Sequence, residues 1–319
     1  MSKYKQTDLS GVKTISIKGR KSRVTPKDFA RPIKTGKASF SEFAESLPHI
    51  LIGTQIRNLI ENIVDSHKKQ KPVILMMGGH VIKVGCAPLI IDLLKRGILS
   101  HVAMNSAAAI HDTETAMWGH TSEDVAVNLM NGTFGMSRET GEFINSALSK
   151  GVQDNSIGYG EALGEKIIVQ NGKNWNASVL ANCYKLGIPV TIHAAIGTDI
   201  IHQQPTMNGA ATGEMSFRDF KILINSIKDL QGGGVVLNFG SAVIMPEVFL
   251  KAMTVARNLG YKARGFSTAN FDMIRQYRPQ MNVVERPTQK YGTGYNFIGH
   301  HEIMFPLLTA LIIERLSRS

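Results

Sequence analysis

Five short apolar runs, each closing on a turn of small residues and each followed by a segment with helical spacing, restrict this chain more than any other feature. The first is Pro72 to Met77, followed by Gly78, Gly79 and His80. Leu99 to Met104 leads into Asn105 and Ser106, and Pro189 to Ala195 into Gly197, Thr198 and Asp199. Gly234 to Phe239 precedes Gly240 and Ser241, and Arg264 to Ala269 is the fifth run. Between them, helices are expected over Ala87 to Arg96, Ser137 to Lys150, Asn176 to Leu186, Ser216 to Lys228 and Pro246 to Leu259, with a last one over Glu302 to Leu316. Gly97, Gly187 and Gly260 stand where helix C-termini need a left-handed residue. Strands that are apolar throughout and alternate with helices belong to a parallel sheet covered on both faces.

Ahead of this pattern, Ile56, Leu59, Ile60, Ile63 and Val64 recur at helical spacing. Val12 to Lys18 alternates apolar and polar residues and is expected as a short strand. The net charge of +11 is concentrated at the amino end, where residues 1–37 hold eleven Lys or Arg against two Asp. We therefore expect a basic arm over 1–37 and a single domain over 38–319. The arm lacks the aromatic spacing of a base-stacking surface, so nucleic acid is not the expected partner. No run approaches the ~18 apolar residues of a membrane span, and no leader-like segment opens the chain, so the cytoplasm is the expected location. Cys86 and Cys183 form no metal-type pair, and no metal is expected.

In open α/β sheets, ligands bind beyond the carboxyl ends of the strands. Here those ends carry Gly78, Gly79, His80, Asn105, Ser106, Ala107, Asp199, Gly240, Ser241, Thr268 and Ala269. Small residues let a ligand approach the backbone, and several of these turns lead into helix N-termini, which favour phosphate. The expected fold is a three-layer, Rossmann-like parallel sheet with helices on both faces. Candidate acid–base groups are His111 with Asp112, and His300 with His301 at the last strand-to-helix turn. Asp112 can equally be read as a helix cap. Lys290, in a glycine-broken loop, is the candidate for an imine with substrate.

Residues 73–114, Ala177 to Ala194 (ASVLANCYKLGIPVTIHA), Gly265 to Asp272 (GFSTANFD) and Phe297 to Leu311 (FIGHHEIMFPLLTAL) resemble deoxyhypusine synthase in order and spacing. The segment from Asn105 to Glu114 (NSAAAIHDTE), with Ala116 to Gly119, is similar to the lysine-ketoglutarate reductase/saccharopine dehydrogenase-like domain of ornithine cyclodeaminases. The first resemblance implies NAD contacts at Gly79, His80, Ser106, Ala107, His111, Asp199, Thr268, Ala269, His300 and His301. It also implies a homo-oligomer, dimer or tetramer. The chain departs from that family in lacking its Trp-Gly-Lys-like motif, and Ile244 and Met245 replace its paired histidines. The expected function is an NAD-dependent enzyme acting on a small amine or amino acid, by dehydrogenation to an imine followed by transfer or deamination. A deoxyhypusine or homospermidine synthase with a relocated lysine, and a non-catalytic nucleotide-binding or structural homologue, are the alternatives.

Overall fold

The structure is a computed structural model that describes residues 2–33, 36, 39–154 and 156–318. The expected arm boundary between Lys37 and Ala38 lies outside the described residues. The chain divides into two units, Met1–Thr54 and Gln55–Ser319.

The first unit holds 3-10 turns at Ile17–Gly19 and Pro26–Asp28 and a helix at Phe40–Ser46. Ser39 and Glu42 cap that helix reciprocally. The strand expected at Val12 to Lys18 does not form. A lone strand needs a partner for its N–H and C=O groups, and Val12, Ile15 and Ile17 are exposed here.

The second unit is built on six strands: β1 (Val73–Met77), β2 (His101–Asn105), β3 (Val190–His193), β4 (Val235–Phe239), β5 (Ser267–Asp272) and β6 (Thr293–Ile298). All pairings are parallel, in the order β3-β2-β1-β4-β5-β6. This is the Rossmann arrangement, whose order reverses between β1 and β4. Ile74, Met76 and Val236 point to one face, where helices Gly209–Ile227 and Ile244–Asn258 supply Leu223, Ile227, Phe249 and Met253. Helices Ala87–Lys95, Val179–Leu186 and His301–Ser317 pack together in the layer on the other face.

Three strands carry the same dipeptide at or next to their carboxyl ends: Asn238-Phe239, Asn270-Phe271 and Asn296-Phe297, in register across β4, β5 and β6. The phenylalanines stack face to face, with centroids 4.2 and 4.6 Å apart. On the opposite face the asparagines form a ladder, Asn238 donating to Asn270 at 2.7 Å and Asn270 to Asn296 at 2.9 Å. Two expectations are corrected. The fifth strand starts three residues later than Arg264, because Ala263 and Gly265 take left-handed φ of 39° and 69° and cannot be extended. The helix expected from Ser216 starts at Gly209, with Asn208 as its cap. Ser216 and Asp219 serve the sheet edge instead. Asp219 Oδ2 accepts from Ile192 N of β3 at 2.6 Å and from Gly160 N at 2.9 Å.

Candidate functional site

Outside the carboxyl ends of β1 and β4, where the strand order reverses, is the crevice position of this fold, and here the two backbones meet closely. Gly78 N donates to Phe239 O at 2.9 Å, and Gly240 N to Phe271 O at 3.0 Å. A Cβ on Gly78 would lie 2.3 Å from Gly240 O, and one on Gly240 2.5 Å from His301 Nε2. Gly240 also needs its φ of 63°. Ser241 Oγ accepts from Met245 N at 3.1 Å, opening the helix beyond β4. His301 is fully buried, and neither ring nitrogen has a hydrogen-bond partner. Its ring lies 5.7 Å from that of His80 and 6.0 Å from that of Phe239. Burial lowers its pKa, opposed by the charge of Asp272 at the end of β5. Buried polar groups normally find partners. An imidazole left with two orphan nitrogens at a crevice is a place for a ligand's polar group.

Next to the crevice, beyond β2, is a cavity of about 490 Å³. Helix Ser106–Trp118 forms one wall, contributing Ala107, His111 and Glu114, and Lys83, Thr140 and Asp199 close it. Asn105 caps that helix, accepting from Ala108 N at 3.0 Å. Ser106 Oγ hydrogen-bonds the Asp199 carboxylate, and His202 Nδ1 lies 4.0 Å from it. His111 Nδ1 lies 2.7 Å from Thr121 Oγ1, and Thr121 donates to Glu114 at 2.5 Å. Burial, with Lys83 and His80 nearby, pushes the His111 pKa down to about 4. Crevice and cavity share a wall, since a Cβ on Gly79 would meet His111 Cδ2 at 3.1 Å and Ala107 at 3.3 Å.

The structure gathers Gly78, Gly79, His80, Gly240, Ser241 and His301 at the crevice, and Ala107, His111 and Asp199 at the cavity. It does not bring Asp112, Thr268, Ala269, Lys290 or His300 there. Asp112 faces away from the cavity, fully buried, and accepts from Ser178 Oγ (2.6 Å), Val179 N (2.7 Å) and Leu180 N (3.0 Å). It thereby caps helix Val179–Leu186. Burial pushes its carboxyl up to about 6, against the pull of those three donors. Thr268 and Ala269 lie near the amino end of β5, both buried, with Thr268 Oγ1 donating to Val283 O at 2.7 Å. The three-residue shift of that strand removes them from the carboxyl edge. Lys290 precedes β6 at the opposite, amino edge of the sheet, exposed and with φ of 78°. His300 is exposed at the start of the last helix, 3.8 Å from Glu302, while His301 turns inward. Sequence reasoning missed Lys83, Thr121, Thr140 and Asp272. Lys83 was within reach of it, three residues after His80 at helical spacing.

No protein-family model matches the sequence, and no curated protein matches it. Solved structures match the fold. A conserved candidate LOR/SDH protein from Methanococcus maripaludis S2 has a TM-score of 0.52 at 16% identity, over 83% of this chain and 70% of that one. A candidate deoxyhypusine synthase from Entamoeba histolytica has a TM-score of 0.51 at 13% identity, over 88% and 97%. The chain has the deoxyhypusine synthase-like fold. AgrE, in a ternary complex with ornithine and NAD+, has a TM-score of 0.55 at 13% identity, over 83% of this chain but 34% of AgrE. The chain therefore spans about a third of AgrE. Among the described residues no helix is long and apolar enough to cross a membrane, and no group of three His, Cys, Asp or Glu is placed to hold a metal.

Proposed function

We propose that this protein is an NAD-dependent enzyme with the deoxyhypusine synthase-like fold that acts on a small amine or amino acid. The observation that carries this reading is the polar cavity beyond β2, lined by Lys83, His111, Glu114 and Asp199, whose His111 packs against Gly79 at the turn after β1. The residues present fit a dinucleotide. Gly78, Gly79, Gly240 and Ser241 would hold it against bare backbone, with His80, Asn105, Ser106 and Ala107 alongside. His301 would give its orphan nitrogens to the ligand. When bound, NAD supplies a hydride acceptor for the carbon bearing the amine.

The cavity's charges match the proposed substrate. Lys83 is placed for a carboxylate, and Asp199, oriented by Ser106, for an ammonium group. His111 is neutral at pH 7 and able to accept a proton there. Lys290, at the far edge of the sheet, has no part in this arrangement, which counts against a synthase with a relocated lysine. Met273, Ile274, Tyr277, Ile298 and Ile303 are exposed around the ends of β5 and β6, which supports self-association as a dimer or tetramer.

The test is NAD reduction across a panel of amines and amino acids. We expect turnover by the wild type, a loss of roughly 100-fold or more in His111→Asn, and no change in Lys290→Ala. NAD binding with no reduction by any member of the panel would contradict the enzymatic reading and leave a nucleotide-binding protein.

A further inference from the structure

The cavity contains a chain of hydrogen bonds whose proton directions can be assigned. A carboxylate only accepts, so the 2.5 Å contact between Thr121 Oγ1 and Glu114 Oε2 uses the single hydroxyl proton of Thr121. His111 Nδ1, 2.7 Å from the same oxygen, must then be the donor. The other carboxylate oxygen, Oε1, accepts from Thr140 Oγ1 at 2.9 Å. Thr140 has spent its proton too, so Ser137 Oγ, 3.0 Å away, donates to it. Glu114 is therefore held at both oxygens, only 14% exposed, and stands 4.0 Å from His111 Nδ1.

We propose that Glu114, acting through the Thr121 hydroxyl, is a positioning residue that fixes His111 as its Nδ1–H tautomer and leaves Nε2 as the proton acceptor of the cavity. The ring edge opposite Nδ1 lies against Gly79, the residue shared with the crevice. The charged and titratable groups facing the ring are Lys83 and His80 on helix Gly79–Lys83, and Glu114 on its own helix. A proton leaving a substrate ammonium for Nε2 would give a neutral amine and an imidazolium. The relay selects the tautomer that leaves Nε2 free to accept. The other tautomer would put a proton on Nε2 and make Nδ1 an acceptor, leaving the single Thr121 proton to serve either Nδ1 or Glu114 but not both. The proposal rests on the reading of this cavity as the substrate site but requires no bound nucleotide.

The test is two-bond proton–nitrogen correlation spectroscopy of the full chain labelled with ¹⁵N-histidine at pH 7.5 without ligand, with His111 assigned by the signals lost in His111→Asn. The wild type is expected to show a neutral ring protonated on Nδ1. A histidine side chain in water favours the Nε2–H form, so Thr121→Val and Glu114→Ala should both move His111 to it, and Thr121→Ser should retain the wild-type form. A wild-type ring protonated on Nε2, or an unchanged tautomer in Thr121→Val or Glu114→Ala, would overturn the proposal. The readout needs neither NAD nor substrate, so the tautomer is measured separately from turnover, and an unexpected tautomer leaves NAD binding untouched.

Discussion

His111 and Asp112 are adjacent in sequence yet roughly 100° apart around their helix, and that angle separates their roles. His111 lines the cavity, and Asp112 is fully buried on the far side, joined to Ser178, Val179 and Leu180. Removing the Asp112 carboxylate leaves those three donors without their acceptor in a buried place. Asp112→Ala should therefore lower the unfolding free energy by about 2–4 kcal/mol in urea, while Asp112→Asn, which keeps an acceptor, should lower it less. Equal losses in both would show that the cap contributes little. The sequence shows a His-Asp pair at the mouth of a strand. It does not show which way each side chain turns, because that depends on helix Val179–Leu186, more than sixty residues later. His300 and His301 repeat the lesson: one is exposed and the other buried.

Elements are more legible than side-chain roles. The runs that became β1 to β4 are apolar because both faces of a parallel sheet are covered, and they lie within a few residues of where the sequence places them. β5 is the exception, since its register is set by Phe271 stacking between Phe239 and Phe297, partners far away in sequence. The repeated Asn-Phe dipeptide was the available signal. The edge strand β3 is closed by Asp219, which receives the amide protons of Ile192 and Gly160. Burial pushes its carboxyl up to about 8. The folded state then keeps a proton that the unfolded state releases above the ordinary value of 3.8. This stability is fully present at low pH and is lost as pH rises through about 8. The unfolding free energy should fall from pH 6.5 to 8, with a slope of at most about 1.4 kcal/mol per pH unit from this group. Asp219→Asn should flatten that slope, and an equal slope in the variant would contradict the assignment.

At the scale of the whole molecule, the strand order reverses between β1 and β4, and the groups with the most ligand-like environment collect beside that reversal. Gly78 and Gly240 are the closest backbone approach in the crevice, and His301 is the buried polar side chain left without partners there. The parallel sheet and its carboxyl-edge turns can be read from the sequence, because apolar runs and glycine turns are local patterns. The cavity cannot, because Lys83, Glu114, Thr121, Thr140 and Asp199 reach it from separate segments.

Thermal unfolding with and without NAD tests the central claim most directly. At a hundred times its dissociation constant, a ligand of the folded state adds about 2.7 kcal/mol, a shift of several degrees. We expect that shift for the wild type. A wild type that unfolds at the same temperature with saturating NAD would contradict it.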